Sequence, residues 1–159
     1  MSPYKERIAT VLNEIRKKSR FIIVSAHVGP NWGAPSSTIQ ALAHEMLDLG
    51  ADLYWGHSNH TPQGIEIYNG KVIMYAAGDF IDDYAVDPVE RNDLSFLFMV
   101  EVQDGCVSHV HLYPTAIENF RVRHAQGRER IFLQQSMQAK CSAWNTPITF
   151  KEEVGTIRV

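Results

Sequence analysis

The sequence predicts a mixed α/β domain, one strand–helix–strand unit followed by antiparallel hairpins, and three observations carry that expectation. An all-apolar run, Phe21-Ile22-Ile23-Val24, and a second short run, Asp52-Leu53-Tyr54-Trp55, flank a Gly- and Pro-bearing loop and an amphipathic stretch. Asn69-Gly70 separates two β-rich runs, and Asp104-Gly105 separates two longer ones. At 159 residues, 45% hydrophobic and 21% charged, the chain has the composition of a globular protein. A chain of this size buries roughly 70% of its unfolded surface, so residues 1–159 are read as a single domain.

Residues 3–18 place Ile8, Val11, Leu12 and Ile15 at i, i+3, i+4 and i+7, one stripe of an amphipathic helix that packs on a neighbour. The run at 21–24 lacks alternation, as expected of a parallel strand buried on both faces. Residues 27–35, with two Gly and two Pro, read as a loop. Ser36 or Ser37 then caps a helix whose face is Ile39, Leu42, Ala43, Met46 and Leu47, stopped by Gly50. A crossover of this kind makes the strands at 21–24 and 52–55 parallel. Beyond residue 64, Ile65-Glu66-Ile67-Tyr68 and residues 71–75 form a hairpin through a type I′ turn at Asn69-Gly70. Residues 94–102 and 107–113 form a second, ended by Pro114. In the tail, 127–140 reads as a helix and 148–159 as holding a short strand.

Net charge is −3, which gives no electrostatic basis for binding a nucleic-acid backbone. Cys106 and Cys141 have no CxxC spacing and read as buried thiols. The polar N-terminus lacks a signal-like apolar core and no stretch reaches membrane-span length, which points to a cytoplasmic chain. Neither GxSxG, a P-loop nor GxGxxG occurs.

The chemistry centres on three histidines. His27 follows the first strand, and His57 and His60 follow the second. Parallel strands bring their C-terminal ends to one sheet edge, where open α/β proteins bind ligands, so the three imidazoles are expected to meet. Neutral imidazole is the commonest protein ligand for Zn²⁺ and also suits Fe and Ni. Gly56 is read as a sharp turn before His57. Asp79, after Gly78, is expected to present a carboxylate, with Asp82 and Asp83 as acceptors that orient a ligand histidine. Asn59 reads as a donor to a phosphate or sugar oxygen, and Trp32 and Trp55 as an aromatic wall, although a Trp at a strand end equally suits the core. Taken singly, each of these residues is more commonly an ordinary polar loop or turn group; the shared edge is what sets them apart. His44, His109, His111 and His124 lack such a setting and read as structural or surface residues.

Several of these segments together resemble the CapA family, poly-γ-glutamate capsule-synthesis proteins of the calcineurin-like metallophosphatase superfamily. They are Ile22-Ile23-Val24-Ser25-Ala26-His27-Val28-Gly29, the run from Ala43 to Gly50-Ala51-Asp52, Gly56-His57-Ser58-Asn59-His60, the run from Gln63 through Gly64 and Asn69-Gly70 to Tyr75, and Gly78-Asp79-Phe80. The resemblance implies a metallophosphatase-like α/β/β/α sandwich, present here in part as a C-terminal half. It also implies divalent metal ions, Zn, Mn or Fe, held by His27, His57, His60 and Asp79, with His57 and His60 in catalytic roles. His27 would match the family's His-Trp-Gly histidine, and His57 and His60 those of its Gly-His-His-Pro-His loop. The implied function is a metal-dependent, phosphoesterase-like hydrolase of capsule or poly-γ-glutamate synthesis, acting on a small-molecule or polymer substrate. Ser58-Asn59 replace the usual His-Pro, and Asp79 stands where Asn is commoner. The family's carboxylate-bearing Gly-Asp and Asn-Leu-Glu motifs lie outside these residues, yet two cations about 4 Å apart need anionic bridges. The expected partner is therefore the missing N-terminal half or another chain. The alternatives are a non-catalytic accessory or polymer-binding module, or an inactive truncated fragment.

Overall fold

The computed structural model describes residues 3–82 and 85–159. Its first helix, α1, spans Pro3–Arg16. Only half of the expected stripe turns inward: Leu12 is buried and Ile8 packs on the core, whereas Val11 and Ile15 are 50% and 40% exposed. Arg16 pins the helix end by donating to the Gly50 carbonyl at 2.8 Å and to Asp52 Oδ2 at 2.6 Å.

Strand β1 is Ile23–Ala26, two residues later than the apolar run predicts. It forms the edge of its sheet, and Ile23 is 57% exposed rather than covered on both faces. Helix α2, Ser37–Asp48, starts at Ser36, whose hydroxyl accepts from Ile39 N–H. It stops where Gly50 takes φ +119°, with Gly50 N–H on Leu47 O and Ala51 N–H on Met46 O, a Schellman closure. Strand β2, Leu53–Gly56, runs parallel to β1 with Ile23 opposite Leu53 and Ala26 opposite Gly56.

Strands β3 (Ile65–Tyr68) and β4 (Lys71–Met74) form the expected hairpin, with Asn69 and Gly70 at φ 51° and 74°. The hairpin does not begin a new sheet. Strand β4 lies parallel to β2, giving the order β1-β2-β4-β3. Its apolar Val72-Ile73-Met74 run, buried throughout, suits the central position.

The second sheet contains β5 (Leu94–Gln103), β6 (Cys106–Glu118), β7 (Arg121–His124), β8 (Thr149–Lys151) and β9 (Val154–Arg158) in the order β5-β6-β9-β8, with β7 also on β6. Pro114 does not end β6. Its carbonyl accepts from Ala125 N–H on the side where β9 pairing ends at Leu112 and β7 pairing begins at Thr115, so the missing proline N–H falls in the gap between partners. The tail holds the expected helix, α3, at Gly127–Ser142, and a β8–β9 hairpin in place of one short strand. Cys141 is buried, but Cys106 is exposed because it leaves the tight Asp104-Gly105 turn at a hairpin tip.

Alternation along the first sheet divides the core. Leu53, Val72 and Met74 face Leu94, Phe96, Val110, Leu112 and Ile157 of the second sheet, together with Leu133 and Met137 of α3. Tyr54, Ile73 and Tyr75 face Ile39, Ala43 and Leu47 of α2. The result is a mixed α/β arrangement of two sheets and three helices, whose loops after β1, β2 and β4 meet at one rim. No helix among the described residues is long and apolar enough to cross a membrane.

Candidate metal centre

The rim is built by backbone closures between loops. His57 N–H donates to Ala26 O, Ala77 N–H to Gly56 O, His60 N–H to Asn31 O and Asp79 N–H to His60 O. Gly56 serves this closure by close approach rather than by a turn. A Cβ there would lie 2.0 Å from the Tyr75 carbonyl oxygen, and its backbone remains that of strand β2. Gly78 takes φ +73°, a backbone that favours glycine, and a Cβ there would also lie 2.7 Å from Pro62.

Ser58 and Asn59, each 8% exposed, staple the loops. Ser58 Oγ donates to Gly29 O at 2.8 Å, and Asn59 Nδ2 donates to Gly33 O at 2.8 Å. Asn59 Oδ1 accepts from the Thr61 N–H and hydroxyl, both at 2.9 Å. The side chain is thus spent on the loop and is not presented to a phosphate or sugar, contrary to the sequence expectation. Helix α3 buttresses the same loop from behind: Lys140 Nζ donates to Pro62 O at 2.6 Å, and burial pulls its pKa down.

The predicted ligands gather along this rim as two groups. His27 and His57 stand edge to face with ring centroids 5.3 Å apart, both exposed, and His57 Nε2 is 3.0 Å from Ser25 Oγ. His60 is half-buried, with Nδ1 at 2.8 and 3.0 Å from the two oxygens of Asp79. Among the described residues, the set of three donors within 4.8 Å of one another is His60, Asp79 and Asp82. The three histidines do not form such a set. Asp83 lies outside the described residues. Trp32 sits 5.4 Å from the His60 ring, whereas Trp55 packs against the inter-sheet core and meets Phe98 edge-on.

A carboxylate accepting from Nδ1–H fixes the tautomer and the orientation of an imidazole, the support that metal-binding histidines commonly receive. With Asp79 engaged by the ring, the His60 imidazole and the Asp82 carboxylate are the donors that remain, and this pair suits Zn²⁺, Mn²⁺ or Fe²⁺, so the donor chemistry fits a divalent ion. Two contributors escaped sequence reasoning. Ser25 was signalled only by its place two residues before His27 at a strand end. Asn92, 3% exposed and 3.4 Å from Asp79 Oδ2, comes from the loop before β5, and no local pattern marks it.

Comparison with known proteins follows the same residues. A family described as bacterial capsule synthesis protein PGA_cap matches residues 2–84, just over half of the 159-residue chain. The chain is 35% identical over 124 residues to a probable polyglutamine synthesis accessory protein of Mycobacterium tuberculosis, covering 73% of this chain and 32% of that protein. It is 36% identical over 129 residues to the capsule biosynthesis protein CapA of Bacillus anthracis, covering 78% and 31%. With the PGA biosynthesis protein CapA of Bacillus subtilis it shares 36% over 74 residues, 46% of this chain and 20% of that one. The matched region thus spans about a third or less of each relative's length.

Proposed function

The chain belongs to the PGA_cap family of bacterial capsule synthesis proteins, and on that premise we propose that it serves the synthesis of an anionic capsule polymer through a metal-dependent, phosphoesterase-like hydrolytic centre at the rim. The observation that carries the reading is the His60–Asp79–Asp82 set, with donors within 4.8 Å, on the sheet edge where parallel strands end. His60 and Asp82 would hold a divalent ion, which supplies Lewis acidity and activates water. Asp79 bonds to His60 Nδ1 and orients the ring. His57, exposed and beside His27, would donate a proton to a leaving oxygen or take a second ion. Further carboxylates from a segment outside these residues or from another chain would complete a two-ion site, and the two sheets would form part of a metallophosphatase-like sandwich. The exposed edge of β1, at Ile23, is the natural place for that additional segment to pair.

Equilibrium dialysis with Mn²⁺ and Zn²⁺, together with hydrolysis of a chromogenic phosphodiester, tests the reading. Asp79→Asn is expected to weaken metal binding roughly 10–100-fold, and His60→Ala to abolish hydrolysis. Equal metal content and equal hydrolysis in the unmutated chain and in His60→Ala would sink it. A second reading, a non-catalytic accessory module, draws on the accessory-protein name of the mycobacterial relative. Poly-γ-glutamate binding that survives loss of His27, His57 and His60, without hydrolysis, would favour it.

A further inference from the structure

We propose a second metal-binding site on the outer face of the second sheet, in which His109, His111 and Glu101 take one Zn²⁺, Ni²⁺ or Cu²⁺ ion independently of the rim. Residues i and i+2 of a strand share a face, so β6 presents both imidazoles together, their rings nearly parallel with centroids 5.9 Å apart. Glu101 of β5 is the cross-strand partner of His109. One of its carboxylate oxygens lies 3.3 Å from His109 Nδ1, and the other lies 3.0 Å from His111 Nε2. The remaining nitrogen of His111, Nδ1, is 3.2 Å from Thr156 Oγ1 on β9. This hydroxyl braces the ring and leaves Nε2 as the nitrogen that faces the carboxylate, the support that metal-binding imidazoles receive elsewhere.

Two imidazoles and one carboxylate are a donor set for late first-row metals, with too few oxygens for Mg²⁺ or Ca²⁺. The donors are more widely spaced than those of His60, Asp79 and Asp82. Closing on an ion at metal–nitrogen distances of about 2.0 Å therefore requires His109 and Glu101, whose side chains are 36% and 57% exposed, to turn toward the more buried His111. The fold has little stake in these exposed contacts, since pairs of this kind at a surface contribute little to stability. His109 also borders a cavity of about 370 Å³ lined by Thr149, Lys151, Thr156 and Arg158. Neither Lys151 nor Arg158 has an ion pair among the described residues, so an ion with an open position there would meet a pocket suited to a carboxylate or phosphate co-ligand.

Titration calorimetry of the whole chain with Zn²⁺, Ni²⁺, Cu²⁺ and Mg²⁺ tests the proposal. The double variant His109→Ala/His111→Ala is expected to lose one late-metal site or weaken it at least tenfold, whereas His60→Ala/Asp79→Ala retains it and Mg²⁺ never occupies it. Unchanged Zn²⁺ and Cu²⁺ stoichiometry and affinity in the first variant would overturn the proposal. A loss confined to the second variant would do the same while supporting the rim centre. Should the double variant fold poorly, sub-stoichiometric Cu²⁺ added to the unmutated chain should broaden the ring resonances of His109 and His111. Broadening of other histidines alone would count against the site.

Discussion

The two sheets of this molecule achieve order by different means. The first has strands of only four residues, and the rim that carries the candidate site is closed by single backbone contacts between loops, such as His57 N–H to Ala26 O and Ala77 N–H to Gly56 O. The second has strands of 10 and 13 residues paired along their length with one register shift between Glu101 and Val102, and Leu97 and Met99 are exposed on its outer face. Regular pairing distributes stability over many equivalent bonds, so a single defect is absorbed. The rim concentrates it in a few contacts that also set the positions of His57, His60 and Asp79. Structural and chemical sensitivity should therefore coincide at the rim and separate in the second sheet.

The largest expected contrast lies between two glycines. In Gly56→Ala the new Cβ would meet the Tyr75 carbonyl oxygen at 2.0 Å, and neither of the two central strands can yield. A loss of at least ~3 kcal/mol is expected, read as a fall in the urea midpoint. Gly105→Ala, at the β5–β6 turn, has its nearest atom at 3.8 Å and only the strain of φ +82° to bear. It should cost about 1 kcal/mol. Equal losses would break the comparison.

Asn59 sharpens it further. Asn59→Ala removes the tie to Gly33 and leaves the Thr61 N–H without its acceptor inside a buried loop, at a cost of about 2 kcal/mol. Because the same loop carries His57 and His60, metal binding at the rim should weaken together with stability. The matched change in the second sheet, Glu101→Gln, should leave the unfolding midpoint within ~0.5 kcal/mol of the parent. Full metal affinity in a destabilised Asn59→Ala would show that the staple and the site are separate.

What the sequence disclosed follows the same division. Periodicity and turn chemistry located α2, the parallel β1–β2 pair and the Asn69-Gly70 hairpin because those features are local: a cap at Ser36, a left-handed Gly50, an apolar run. The meeting of His27 with His57 followed from parallel pairing alone. What stayed hidden depends on contacts distant in sequence. Strand β4 inserts beside β2, Asn92 reaches Asp79, and Ile23, on the same face as Leu53, is left uncovered at the sheet edge. Gly56 was singled out for the wrong reason, since no local pattern reveals that another backbone approaches within the space of a Cβ.

The smallest effect concerns the charge network at the start of α3, where the second sheet meets its helix. Arg123 of β7 donates to both oxygens of Glu129 at 2.8 Å, and Glu129 also accepts from Gln126 N–H at the helix start. The Arg123 bonds, ahead of that backbone bond, hold the Glu129 carboxyl down at about 2 from an ordinary 4.5. A depressed carboxyl stabilises the fold above its unfolded value and gives up that stability as pH falls toward its folded value, so the window lies between about 4.5 and 2. Side-chain exposure of 37% and 27% leaves the pair well screened, and its contribution should be about 1 kcal/mol, less than the shift alone would give. Glu129→Gln should therefore flatten the stability profile across that window while leaving metal binding at the rim unchanged. An identical acid slope in the variant would place the acid sensitivity of the fold elsewhere. A weakened rim metal would mean that the two sheets are coupled through α3, whose Lys140 already touches the site loop at Pro62.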